Sequence, residues 1–143
     1  MFNAAAPLAV LKTMVAGLPG MQDTFTGIPQ ARDARVTASI SLAGAPVVDK
    51  FTGMTQRHVR YTIILACRLD DDESGSETII AGLVDAFQTA WLANRTLSNT
   101  CNSCTLDFSM ADRPEYQMDA AQEQRTYPII ADCTQTQPFP LPQ

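Results

Sequence analysis

Histidine and tryptophan each occur once in this chain, and charged residues make up only 17% of it. A typical globular protein is about one quarter charged, so the surface is short of the groups that keep a protein apart from its neighbours. Such a surface is expected to be covered by partners. Basic residues are outnumbered, ten against fifteen acids, for a net charge of −5. A dedicated nucleic-acid binder needs a basic stripe that displaces counterions from phosphates, and this balance speaks against one. It is compatible with DNA in transit, because a wall that DNA slides past should be neutral or acidic. No run reaches the roughly 20 apolar residues of a membrane span. The start, Met1 to Leu8, has no basic n-region, and Lys12 interrupts the apolar stretch, so no secretory signal is expected. Cytoplasmic synthesis follows, and with it reduced thiols at Cys67, Cys101, Cys104 and Cys133.

What is present fits one domain. The 143 residues are 45% hydrophobic, and a chain of this size buries roughly 68–70% of its unfolded surface without needing staples. No internal repeat is found. Leu8, Leu11, Val15 and Leu18 fall on one stripe after Asn3, a helix N-cap, and Gly17, Pro19 and Gly20 end that helix. Met21 to Arg32 reads as a polar connector. Alternation from Ala34 to Leu42 predicts a strand with one apolar face. Arg57 to Leu69 predicts another, with Val59, Tyr61, Ile63, Leu65 and Cys67 on one side and Ile64 and Ala66 on the other, as expected of a central strand.

Between these strands lies a long loop, 43–56, that carries Val47, Val48, Phe51 and Met54. Hairpin loops normally run two to five residues. Apolar residues in a loop remote from the core are expected to be covered by another subunit. The plainer alternative is a short extra strand or a flap that folds back on the domain.

Asp70-Asp71-Asp72-Glu73 then leads into the strongest helical pattern. Ser74 and Glu77 have capping-box spacing, and Ile79, Ile80, Leu83, Val84, Phe87, Ala90 and Trp91 form a broad apolar stripe ending at Asn94 and Arg95. Two more strands are predicted, around Leu106-Phe108-Met110 and around Tyr127-Ile129-Ala131-Cys133. A polar loop, Asp112 to Glu123, separates them. Residues 135–143, with Pro138-Phe139-Pro140-Leu141-Pro142, read as an extended Pro-rich tail. The order of elements predicts an α+β domain: a four-stranded, mainly antiparallel sheet with an N-terminal helix and a central helix packed on one face.

Catalytic chemistry finds no foothold. His58 sits on a polar strand face beside Arg60, with no carboxylate partner evident in sequence, and reads as a surface or interface histidine. Ser–His and Cys–His mechanisms therefore rest on nothing. Cys101-Asn102-Ser103-Cys104 is a single C-x-x-C, whereas structural zinc takes four ligands, usually from two such pairs. A thioredoxin-type motif opens a helix after a strand, and this pair precedes a strand. Asp70, Asp72, Ser74 and Gly75 mimic the start of an EF-hand loop, but Ala81 stands where the bidentate glutamate is needed. Magnesium on Asp70 to Glu73 has no phosphate-cradling glycine loop beside it. No pair of the fifteen acids is singled out for glycoside hydrolysis. The expectation is a non-enzyme with no catalytic residues, cofactor or metal.

From Tyr61 to about Thr134 the order of elements resembles the tail terminator, or tail-completion, proteins of long-tailed bacteriophages. The shared pattern is a strand (Tyr61-Thr62-Ile63-Ile64-Leu65), an acidic Ser/Gly loop, a helix with Ile79-Ile80, Leu83-Val84 and Phe87, a Thr96-Leu97 step, a strand, and a closing strand (Arg125-Thr126-Tyr127-Pro128-Ile129-Ile130). Such proteins often carry glycines after the Thr-Leu step, where this chain has Ser98 and Asn99, and tend to lack the C-x-x-C. The resemblance implies a hexameric ring that caps the tail tube, stops its polymerisation and meets the head connector or stopper. It implies partners rather than chemistry: copies of itself, tail-tube protein and the connector, with DNA only passing through and no membrane. The place implied is the tail or neck of a virion. Val47, Val48, Phe51, Met54, Phe139 and Leu141 become candidates for subunit and tube contacts, and Asp70, Asp71, Asp72 and Glu73 for the DNA channel. Rival readings are another neck or tail component (connector, stopper or tube protein) and a small ligand-binding or regulatory α+β module.

Overall fold

A computed structural model describes residues 2–27, 35–44, 46–51, 53–69, 73–109, 115–118 and 123–138. The class is α+β, with the order α1 (Ala5–Ala16), β1 (Asp23–Thr26), β2 (Val36–Leu42), β3 (Val47–Phe51), β4 (Met54–Arg68), α2 (Glu73–Ala93), β5 (Ser103–Asp107), β6 (Glu115–Met118) and β7 (Glu123–Pro138). Among the described residues seven strands, rather than the four expected, form one sheet whose main path is β1-β2-β4-β7-β5. Among the described strands β1 runs parallel to its neighbour β2, and the other pairs are antiparallel.

Two long strands make the spine. β4 and β7 pair from Met54↔Pro138 to Arg68↔Gln124. Each free flank of this ribbon is shared by two shorter strands. Along β4, β2 covers residues 61–67 and β3 takes over at 54–58. Along β7, β5 pairs with 130–134 and β6 with 123–126. β4 is therefore central, as its two-sided apolar pattern predicts.

Alternation then builds the core. Val59, Tyr61, Ile63, Leu65 and Cys67 face the same way as Val36, Ala38 and Ile40 of β2 and Ile129, Ala131 and Cys133 of β7. All are buried, together with Leu11, Val15 and Leu18 after or within α1 and Ile80, Leu83 and Phe87 of α2. The two helices thus lie on one face of the sheet. Fully burying a side chain such as Phe87 contributes about 1.5–3 kcal/mol, and the core holds many of that size. Ala4 rather than Asn3 is the residue that flanks α1, and it offers no side-chain cap; the Asn3 Oδ1, one residue earlier, still accepts from the backbone N–H groups of Ala5 and Ala6, at 3.1 and 3.2 Å. The Tyr61 hydroxyl ties the same end to the sheet by donating to the Ala4 carbonyl at 2.6 Å. Burial pushes this phenol above its ordinary value, with the Cys133 thiol adding to the shift.

Several boundaries depart from the sequence reading, each because pairing overrides a weak local pattern. β1 lies in the supposed polar connector; four residues are too few to show a period, and the strand exists because β2 offers an edge. The supposed loop at 43–56 holds β3 and the first residues of β4, the extra-strand alternative. β6 replaces part of the polar loop expected between Asp112 and Glu123. β5 lies earlier than the Leu106–Met110 alternation suggests, and β7 continues through 135–138, taking four residues from the supposed tail. α2 begins at Glu73, so Ser74 falls inside its first turn rather than before it. Glu77, the other half of the expected capping box, accepts a hydrogen bond from Arg125 Nε at 2.5 Å.

Candidate subunit interface

β2 stops at Leu42, level with Tyr61, and from there the sheet continues as β3, the first residues of β4 and the last residues of β7. A tight turn joins β3 to β4, with Phe51 opposite Met54 and Gly53 at φ +77°. A side chain is strained at that φ, so glycine suits the position. Pairing to β4 on one side and turn closure at the tip are what make a strand of Val47-Val48-Asp49-Lys50-Phe51.

The two valines point to opposite faces, since neighbours in a strand alternate. Val47 stands opposite His58 and Val48 opposite Arg57. Both are exposed, at 60% and 50%, as are Met54 (46%) and Leu42 (50%). The hairpin therefore shows apolar side chains on both of its faces at one end of the sheet, and the described helices cover neither. Three of the six apolar residues singled out in sequence, Val47, Val48 and Met54, are gathered here. Phe51 closes the same turn, though its side chain is outside the described part. Phe139 and Leu141 lie outside the described residues; Pro138, which precedes them, sits opposite Met54 at the tip. Leu42 is the residue that sequence reasoning missed. Its place in a regular apolar alternation assigned it to the core, and only the end of β2 reveals it as exposed.

Polar groups flank each face. On the outer one, the His58 Nδ1 lies 3.3 Å from Asp132 Oδ1 and Nε2 lies 4.0 Å from Asp49 Oδ2. Arg60 Nε approaches the other Asp132 oxygen at 3.6 Å. His58 thus has carboxylate partners that sequence distance concealed: Asp132 is 74 positions away. His58, Arg60 and Asp132 border an open recess of about 460 Å³ with Ala43, Gly44 and Val47. On the helix face, the Arg57 guanidinium lies over the Phe2 ring, 4.6 Å from its centre. Arg57 Nη2 also donates to Gln135 Oε1 at 2.8 Å.

The acidic run is not brought to this end by any described contact. Asp70, Asp71 and Asp72 lie outside the described residues, and Glu73 opens α2 with its side chain likewise undescribed. Cys101, Cys104 and Cys133 are buried in the one core cluster: Cys104 is directly opposite Cys133 in the β5–β7 pair, and the Cys101 thiol donates to the Thr96 carbonyl at 3.5 Å. Cys67 is buried at the far end of β4, opposite Arg125. Among the described residues, no set of three or more His, Cys, Asp or Glu side chains is arranged to hold a metal ion. Nor is any described helix long and apolar enough to cross a membrane.

Compared with known proteins, the chain matches no family model and no curated sequence.

Proposed function

We propose that this chain is a structural, ring-forming virion protein of the tail-terminator kind, which caps a tail tube and joins it to the head connector by binding alone. The observation that carries this reading is the β3–β4 hairpin with Val47 and Val48 exposed on opposite faces, Met54 at its tip and Leu42 beside it. An apolar cluster on one face suits one partner. Apolar side chains on both faces of a projecting hairpin suit insertion between two surfaces, such as a neighbouring copy and the tube below.

Ring closure follows from such a contact if it is heterologous. The hairpin of one copy seats on a different surface of the next, and rotation closes the set. A low charge density supports the same reading, since contact faces on both flanks and both ends leave little surface for solvation. Asp70, Asp71, Asp72 and Glu73 then serve as a repulsive channel lining that keeps DNA moving. Charge reversal at all four tests that assignment: retarded DNA ejection is expected, and unchanged ejection and infectivity would count against a luminal place.

Mass measurement of the purified chain, followed by particle imaging, tests the whole reading. Single closed rings that bind tail-tube ends are expected. Long tubes would point instead to a tube protein, and a persistent monomer that ignores tail tubes would remove the assignment.

A further inference from the structure

We infer that the surface receiving the hairpin is the flank of α2 on the next copy, where Asp85 pairs with Arg57 and Leu92 meets Leu42. The inference rests on the ring proposed above and names the contact that closes it. Among the described residues five large apolar side chains are exposed: Leu42, Val47, Val48, Met54 and Leu92. Four of them stand at the hairpin end. The fifth, Leu92, is 62% exposed near the end of α2. A single exposed leucine is ordinary on any surface, so its weight comes from what lies on the same side of its helix.

Strand alternation divides the hairpin end into two patches. Leu42, Val48 and Arg57 point to the helix side of the sheet, since Leu42 stands opposite Tyr61 and Val48 opposite Arg57. Val47 and Met54 point to the outer side and remain for the tube. The helix-side patch thus couples two apolar side chains with a cation. α2 carries the complement. Asp85, which is exposed, and Leu92 are seven residues apart, about two turns, and so share one side of the helix. Asp85 also borders a recess of about 240 Å³ with Ile80, Ala81, Val84 and Tyr127. Arg125, at the same recess, is already paired with Glu77, which leaves room for an apolar guest.

Spacing and charge fit one register. Leu42 is level with Tyr61, four residues along β4 from Arg57, which is about 13 Å. Asp85 and Leu92 are about 10 Å apart along α2. With Arg57 on Asp85, Leu42 reaches Leu92, and Val48, directly opposite Arg57, enters the recess. Neither Arg57 nor Asp85 has an ion-pair partner among the described residues. Gln135 and the Phe2 ring hold the Arg57 guanidinium in place, so it is pre-positioned for a carboxylate. The two patches sit apart in one copy: β3 lies beyond β4 on one flank of the spine, whereas the recess is bordered by β7 on the other. The hairpin of one copy therefore meets the α2 flank of another. Because the patches differ, the contact is heterologous and passes from copy to copy.

The test is sedimentation of the full chain, alone and in mixtures. Leu92→Ser and Asp85→Arg alter exposed side chains of α2, so the fold should be unchanged, and each is expected to weaken assembly about tenfold. Leu42→Ser with Val48→Ser should weaken it from the other side. Mixing is the discriminating step. A copy with Leu92→Ser and Asp85→Arg keeps a sound hairpin, and a copy with Leu42→Ser and Val48→Ser keeps a sound α2 flank. Each alone should stay monomeric, and their equimolar mixture should form one-to-one dimers. Full assembly by the α2 variant, or no dimer in the mixture, would overturn this contact and leave the ring standing as long as the wild type still assembles. A wild-type chain that stays monomeric would remove the ring and the contact together.

Discussion

Gln135 accepts a hydrogen bond from Arg57 at 2.8 Å while its own amide donates to the carbonyls of Asn3 and Thr100, at 2.7 and 3.0 Å. One buried amide, 6% exposed, thereby joins β4, β7, the start of α1 and the turn after α2. It lies just inside the exposed hairpin, so it is the anchor from which that hairpin projects. Replacing it with alanine removes the partner of three part-buried groups, the Arg57 guanidinium and the carbonyls of Asn3 and Thr100. A loss of about 2–3 kcal/mol is expected. Urea unfolding of Gln135→Ala reads this directly, and a loss below about 0.5 kcal/mol, the range of ordinary surface changes, would deny Gln135 that role.

The hairpin's apolar side chains should matter little to the isolated fold. Val47→Ser, Val48→Ser and Met54→Ser each remove surface that is already about half in water, so each should move stability by no more than about 0.5 kcal/mol. Assembly should respond very differently. Combined in one chain, the three changes are expected to shift the particle mass towards monomer in sedimentation, with the far-ultraviolet spectrum unaltered. Wild-type assembly by the triple variant would place the contact elsewhere.

Tyr61 gives a pH-dependent signature. Its hydroxyl donates to Ala4 O in the core, and Tyr61→Phe should cost about 1–2 kcal/mol. Because the folded-state value is raised, the stabilisation is complete below the unfolded phenol value of about 10 and declines as pH rises above it towards the folded value. The stability gap between wild type and Tyr61→Phe should therefore be flat from neutrality to about pH 10 and shrink beyond. A gap that stays constant past that point would show that the phenol does not titrate differently in the two states.

After α2 the chain takes three successive residues through the left-handed region, Leu97, Ser98 and Asn99, at φ +47°, +57° and +64°. Left-handed backbone costs an L-residue roughly 1–2 kcal/mol. Local bonds hold the turn: Asn94 Oδ1 accepts from the Ser98 N–H at 2.7 Å, and Thr100 Oγ1 donates to the Leu97 carbonyl at 2.7 Å. Leu97 must keep its side chain, which is fully buried. Ser98 is exposed, and Ser98→Gly is expected to stabilise by about 0.5–1 kcal/mol once glycine's greater unfolded-state freedom is subtracted. Ser98→Val should destabilise. Thermal melts of the two variants decide it, and equal midpoints would sink the strain argument.

A glycine at Ser98 or Asn99 would relieve this turn, because a residue without Cβ enters the left-handed region freely. In sequence, Ser98 and Asn99 read merely as a departure from pattern; the backbone turns them into a strained site. A similar asymmetry runs through the chain. The stripes of α1 and α2 and the alternation of β2 and β4 were legible because a helix or a half-buried strand writes its own period of 3.6 or 2 into the order of apolar residues. The α+β class and the central place of β4 followed from those periods alone. Val47, Val48 and Met54 were legible as misplaced apolar residues, though whether a loop or a hairpin held them was not.

Tertiary structure alone decided the rest. β1, β3 and β6 are four or five residues long, too short to carry a period, and they exist because a longer neighbour supplies the other half of each hydrogen bond. The carboxylates around His58, the facing Cys104 and Cys133, and the amide of Gln135 join residues up to 132 positions apart. Local order is encoded by spacing along the chain, whereas partnership across a sheet is fixed by register, which only the completed fold sets.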